Sequence, residues 1–256
     1  MSQPARPWAV AISPHLDDAA FSCGGTLACL AKAGWQVTVC TLFTRSVSNP
    51  GPFALACQLD KGLPPDVDYM AIRRAEDAQA CALLGATPVW LDFAEAPHRG
   101  YDSAAALFGA LRSGDEVQFG LAAALARLLR PAPDLVLVPQ AIGGHVDHVQ
   151  TVHALRLALP AQVPVLWWTD FPYASRPHSH PARPFEREMA DLPTGCIDGD
   201  AATRFSACAA YETQLGFQFG GRGGLAEVLS AVGAMERFHV EGGIAAPILP
   251  LLRLTV

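Results

Sequence analysis

Two short stretches concentrate the residues that could do acid–base or metal chemistry. The first reads Ser13-Pro14-His15-Leu16-Asp17-Asp18, followed by Ser22-Cys23-Gly24-Gly25-Thr26, and the second reads Gly143-Gly144-His145-Val146-Asp147-His148. A catalytic zinc takes three protein ligands from imidazole and carboxylate and keeps a fourth position for water. The two clusters hold six such side chains, more than three ligands require, and that surplus favours hydrolysis. A purely structural zinc is more often closed by four ligands, usually with cysteine. Asp17 and Asp18 are adjacent, so on extended backbone they are expected to point apart, one ligating and the other addressing the water. His145 and His148, three apart at a helix start, are expected to share a face and divide the same way. Helix caps and solvated loops commonly use aspartate, but that reading does not account for six such residues in two compact clusters.

Other chemistries fail on inspection. The seven cysteines stand at 23, 29, 40, 57, 81, 196 and 208, with no C-x-x-C pair. An odd, unclustered set reads as reduced, buried thiols in a cytoplasm. The chain contains no G-x-G-x-x-G, G-x-x-x-x-G-K-[ST], H-E-x-x-H or G-x-S-x-G. The run at 143–148 departs from the metallo-β-lactamase pattern H-x-H-x-D-H, because Gly143 stands at the first histidine. Phe219-Gly220-Gly221-Arg222-Gly223-Gly224 is either an anion-binding loop before a helix or an ordinary turn.

The elements that position the two clusters follow from periodicity. Apolar runs at Trp8–Ser13, Gln36–Leu42, Val89–Phe93, Leu135–Val138 and Val165–Thr169 read as strands. Helical patterns at Gly24–Ala33, Met70–Leu84, Glu116–Leu129 and His148–Leu159 alternate with them. This alternation predicts an α/β fold, a Rossmann-like, mostly parallel sheet flanked by helices, built from right-handed βαβ units. Both clusters then fall at the carboxyl ends of strands, where such sheets bind ligands. Stretches at roughly 45–68, 97–115 and 173–200 are rich in Pro, Gly, Ser or Asp and read as long loops of the kind that cover a site.

With 256 residues, 51% hydrophobic and 16% charged, the chain is read as one domain spanning 1–256. Its net charge of −6 argues against general affinity for nucleic acid or anionic membranes. Neither a signal-peptide core nor a membrane span is recognised, so a cytoplasmic protein is expected. The sequence is compatible with a homo-oligomer.

Jointly, PHLDD near the start and HVDH later make the chain resemble the LmbE-like, or PIG-L, deacetylases, which carry P-H-P-D-D and a distal H-x-D-H on a Rossmann-like sheet. The resemblance extends to Arg73-Arg74-Ala75-Glu76, to the DLVLVP strand and to Tyr211-Glu212-Thr213-Gln214, roughly residues 8–215. Leu16 stands where members commonly have proline, and Ala19 where many have glutamate. The resemblance implies a zinc-dependent amide hydrolase that deacetylates an N-acetylated amino sugar or its glycoside. It implies His15, Asp18 and His148 as zinc ligands and Asp17 as the general base that activates water. His145, as an imidazolium, would stabilise the oxyanion and protonate the leaving amine, with Asp147 orienting it. Arg73, Glu95 and Asp170 are expected at the carbohydrate substrate, with Trp168 or Tyr173 as a sugar platform. His98, His178 and His180 are expected in solvated loops, and other divalent metals are compatible with the ligand set. The alternatives are a hydratase of a small keto-diacid, which arginines converging on the site would favour, and a non-hydrolytic, metal-dependent carbohydrate-binding protein.

Overall fold

The computed structural model describes residues 6–175, 181–244 and 248–255; His178 and His180 lie outside them. Its first half runs β1 (Trp8–Ser13), α1 (Asp18–Lys32), β2 (Gln36–Thr41), α2 (Pro52–Leu59), α3 (Tyr69–Leu84), β3 (Thr87–Trp90), α4 (Ala104–Leu107) and α5 (Val117–Leu128). Then come β4 (Leu135–Pro139), α6 (Val146–Ala158), β5 (Val165–Trp168), α7 (Glu186–Met189) and β6 (Thr194–Asp198). The chain closes with α8 (Ala201–Cys208), α9 (Glu212–Phe219), α10 (Arg222–Val232), β7 (Met235–Glu241) and β8 (Leu252–Thr255).

All eight strands form one sheet in the order β3-β2-β1-β4-β5-β7-β6-β8. The pairs from β3 through β5 are parallel, whereas β7 runs antiparallel to both β5 and β6, and β8 antiparallel to β6. The predicted parallel sheet is therefore present, extended by an antiparallel wing. Strand order reverses between β1 and β4, the point at which such sheets open a crevice above the strand ends. The His/Asp clusters follow these two adjacent strands.

Residues alternate strictly across the sheet. Ala9, Ala11, Leu135, Leu137, Leu166 and Trp168 enter a core shared with α1, α3 and α8. Val10, Ile12, Val136, Val138, Val165 and Trp167 enter the opposite core with α5 and α6. Burial on both faces explains why the central strands read as unbroken apolar runs. It also removes Trp168 as a sugar platform, since it is wholly buried in the first core.

Helix α1 begins six residues before the predicted Gly24. Its helical backbone breaks at Cys23, where φ is −140°. The groups freed by the break are taken up from elsewhere. Phe21 O accepts Arg204 Nε at 3.1 Å, while Glu236 accepts Gly25 N at 2.9 Å and Thr26 N at 2.6 Å. Gly24-Gly25 thus lies inside a helix held across its kink by a buried Arg204–Glu236 pair. The long loops are also partly structured: α2 lies within 45–68, α4 within 97–115, and α7 and β6 within 173–200. The glycine run at 219–224 is a helix–helix turn, with Gly220 closing α9 at φ +69°. All seven cysteines are free. No helix among the described residues is long and apolar enough to cross a membrane.

Candidate active site

After β1, the chain turns tightly before entering α1. Ser13 Oγ donates to His15 O at 2.6 Å and accepts Ala19 N at 3.0 Å, while His15 N donates to Asp18 Oδ2 at 2.8 Å. Asp17 sits at the helix start with φ +151°, a conformation L-residues rarely adopt and one that stores strain. The two aspartates diverge because of this corner and the helix that follows it, not because of extended backbone. After β4, Gly143 at φ +102° and Gly144 at φ +73° bend the chain into His145, which caps α6. A Cβ on Gly143 would lie 2.9 Å from the Tyr173 ring, so glycine is required for space as well as for φ.

His15, Asp18 and His148 converge. Asp18 Oδ2 lies 3.4 Å from His15 Nδ1 and 3.2 Å from His148 Nε2, and one donor atom from each residue falls within 4.8 Å of the others. His148 Nε2 is buried without a hydrogen-bond partner. Each imidazole rests its other nitrogen on a buried carboxylate: His15 Nε2 on Asp147 at 2.9 Å, His148 Nδ1 on Asp170 at 3.0 Å. Carboxylate–histidine pairs of this kind fix the tautomer and aim the free nitrogen at a metal. Burial disfavours charge on His148, yet Asp18 and Asp170 outweigh it and raise its pKa to about 9. A field that holds a proton so firmly equally favours a divalent cation. Burial opposes charge on His15 too, but its bonds to Asp147 and Asp18 hold it well above its ordinary value. Burial pushes the Asp18 carboxyl up, and the two histidines overcome this and hold it well below the usual range.

Asp170 was expected at the substrate; it lies instead behind His148, 1% exposed. Its Oδ2 accepts Gln140 N and Ile142 N, each at 3.0 Å, which leaves no oxygen for a ligand in the cleft. We expect Asp170→Asn to weaken metal affinity by about 10–100-fold, read by competition with a chromophoric chelator; unchanged affinity would mean that Asp170 does not support His148.

Asp147 likewise departs from expectation. Its carboxylate binds His15, Ala96 N at 3.0 Å and Arg99 at 2.7 Å, not the His145 ring. Burial raises this carboxyl, but the His15 bond and the Arg99 charge hold it well below the usual range. Only its backbone N–H reaches His145, donating to Nδ1 at 3.2 Å. That bond leaves the proton of a neutral His145 on Nε2. Burial, helped by the neighbouring His15, lowers the His145 pKa to about 3. Both the burial and the Asp147 N–H on Nδ1 favour a neutral ring with its proton on Nε2 over the imidazolium expected of it.

Asp17 is buried beside this cluster, 3.4 Å from Arg73 and 3.3 Å from Gln218 Nε2. Burial raises its pKa to about 7 against the pull of Arg73. Arg73 also binds Glu95 at 2.8 Å and Leu16 O at 2.8 Å and is itself 4% exposed. Both its Nη groups are committed to protein groups, and Glu95 forms the adjoining cleft wall. Arg74-Ala75-Glu76 and Thr213 belong to the same framework: Glu76 accepts both Thr213 N and Oγ1 at 2.7 Å, tying α9 to α3. This tie brings Gln214, Phe217 and Gln218 to the cleft.

The cleft above these groups is lined by His15, Asp17, Asp18, His145, Tyr173 and, contrary to expectation, a half-buried His98. The sequence reading missed Arg99, Lys61, Gln218 and Phe217. The first two lie in stretches read as loops, and the latter two follow the last assigned element.

The family profile described as PIG-L: GlcNAc-PI de-N-acetylase matches residues 10–159. The 2'-N-acetylparomamine deacetylase of Streptomyces fradiae is 38% identical over 168 residues, 64% of this chain and 57% of that protein, so the match spans a little over half that relative's length. Among solved structures, an antimicrobial pseudoaglycone deacetylase superposes with a TM-score of 0.73 at 30% identity, covering 92% of this chain and 98% of the other. The zinc-inhibited form of teicoplanin deacetylase gives 0.73 at 25% identity, covering 97% and 98%.

Proposed function

Because this chain belongs to the PIG-L family, we propose that it is a zinc-dependent hydrolase that removes the acetyl group from an N-acetylated amino sugar or a glycoside of one. The observation carrying this reading is that Asp17 lines the cleft beside His15 and Asp18, two members of the His15–Asp18–His148 donor set. Relatives that are deacetylases of 2'-N-acetylparomamine and of teicoplanin support an amino-sugar glycoside as the substrate class.

His15, Asp18 and His148 would hold the zinc. Bound there, the metal would lower the pKa of a water towards about 7 and polarise the amide carbonyl. Asp17 takes the proton of the attacking water at its carboxylate, which Arg73 and Gln218 hold in place. A pKa near 7 suits a base working at neutral pH. The neutral His145 donates its Nε2–H to the oxyanion as it forms, the kind of contact worth about 10²–10³-fold in rate. Since Nδ1 already accepts the Asp147 N–H, His145 has no second proton to give. The general-acid role expected of it passes to Asp17, which returns the proton to the amide nitrogen. The C–N bond breaks and the amine leaves neutral; the other product is acetic acid, which keeps the water's oxygen and its second proton and ionises to acetate once released.

Asp147 and Asp170 keep the two metal-binding imidazoles oriented, and Arg99 keeps Asp147 ionised. The keto-diacid hydratase is disfavoured: Arg73 is committed to Asp17 and Glu95, and Arg99 to Asp147 and Asp115. A binder without turnover has no use for a buried base at Asp17. Incubation with N-acetylglucosaminides should release acetate and free amine in equal amounts. Hydration of a substrate without amide cleavage would overturn this reading.

A further inference from the structure

Beyond Arg73 the cleft runs to its mouth between α2, the start of α3, and α9. There Lys61 follows the end of α2, partly buried. Its ammonium donates to Cys57 O at 2.8 Å and lies 5.5 Å from the Tyr69 ring centroid and 5.0 Å from that of Phe217. An ammonium has three N–H donors, and among the described residues this one uses a single donor. Two aromatic faces favour a cation electrostatically, yet they accept no ordinary hydrogen bond.

The nearby carboxylates are taken. Asp17 and Glu95 face Arg73, and Asp68 caps α3 while accepting Ser46 Oγ. Among the described residues no carboxylate oxygen pairs with Lys61, so of the two Lys or Arg side chains lining the cleft it is the one without an acidic partner. Burial, and then Arg73, lower the Lys61 pKa, marking an ammonium short of compensating negative charge. Phe217 is 62% exposed, presenting an apolar ring at the mouth beside that cation.

We infer that Lys61, between Tyr69 and Phe217, forms a subsite for a carboxylate carried on the aglycone, the part of the glycoside beyond the N-acetyl sugar. The flanking rings suit a flat, apolar group bearing that carboxylate. The subsite selects acidic aglycones and works against amine-bearing ones. This inference rests on reading the cleft as an amino-sugar site.

The test uses zinc-loaded protein and three matched aryl N-acetylglucosaminides carrying a para-carboxylate, a para-carboxamide or a para-aminomethyl group. Turnover gives kcat/KM, and calorimetry gives Kd. The acid should be preferred over the amine by about fivefold, the scale of one partly exposed ion pair, expressed in KM more than in kcat. Lys61→Met should bring that ratio to about one, whatever happens to the absolute rate, and Lys61→Arg should preserve it. A ratio near one in the native protein, or a ratio that survives Lys61→Met, overturns the subsite. If none of the three is deacetylated, the hydrolase reading fails, and the Kd ratio still decides the Lys61 subsite. If none binds measurably, both fail.

Discussion

Asp17→Asn is expected to leave metal affinity close to native while lowering kcat by about 10²–10⁴-fold, the usual contribution of a positioned general base. Asp17 faces Arg73 and Gln218, whereas Asp18 is the carboxylate whose Oδ2 approaches both imidazoles. The amide of asparagine keeps the shape and can still accept a hydrogen bond from Arg73, but it cannot take a proton from water. The corner at φ +151° is also retained, because asparagine tolerates unusual backbone better than most residues. Metal content measured on purified protein, beside kcat on the best glycoside, separates the roles. Native-like turnover in Asp17→Asn would refute the base assignment, and loss of metal would move Asp17 into the ligand set.

His148→Ala is expected to do the opposite, abolishing metal retention and with it the activity. His148 is 1% exposed, held at Nδ1 by Asp170, with Nε2 lacking any hydrogen-bond partner. Removing it deletes a donor outright, so the loss of affinity should exceed the roughly 100-fold that marks the upper end for a supporting partner. It also leaves the Asp170 carboxyl buried without its histidine, so some loss of stability should accompany the loss of metal. Thermal unfolding with and without excess zinc distinguishes the two. Native His148-containing protein should gain stability on adding metal, and His148→Ala should not. Equal stabilisation of both proteins by zinc would place the metal elsewhere.

The sequence carried the sheet and both clusters because their signals are local. Buried parallel strands such as Leu135–Pro139 are continuous apolar runs, and clustered His and Asp at strand ends have few purely structural uses. The partners of those residues were less legible. Nothing near Asp147 indicates that its carboxylate serves His15, 132 positions away in the chain, and not His145 two residues away. Arg99 reaches Asp147 from a turn between β3 and α4 that has no periodicity of its own. Helix α1 begins at Asp18, ahead of the predicted start at Gly24, and its helical backbone breaks at Cys23, just before Gly24-Gly25. Its compensation, the Arg204–Glu236 pair, comes from α8 and β7, beyond the last element the pattern identified. Asp170 was correctly placed at a strand end on the active edge, but which way its carboxylate turns is decided by the N–H groups of Gln140 and Ile142.

The most direct test of the account is acetate release from an N-acetylglucosaminide by metal-stripped protein, titrated with zinc. Release should be absent from the stripped protein and rise linearly to a plateau at one zinc per chain, with free amine appearing in step. Release that proceeds undiminished without metal, or none at all from protein shown to hold one zinc, would contradict it.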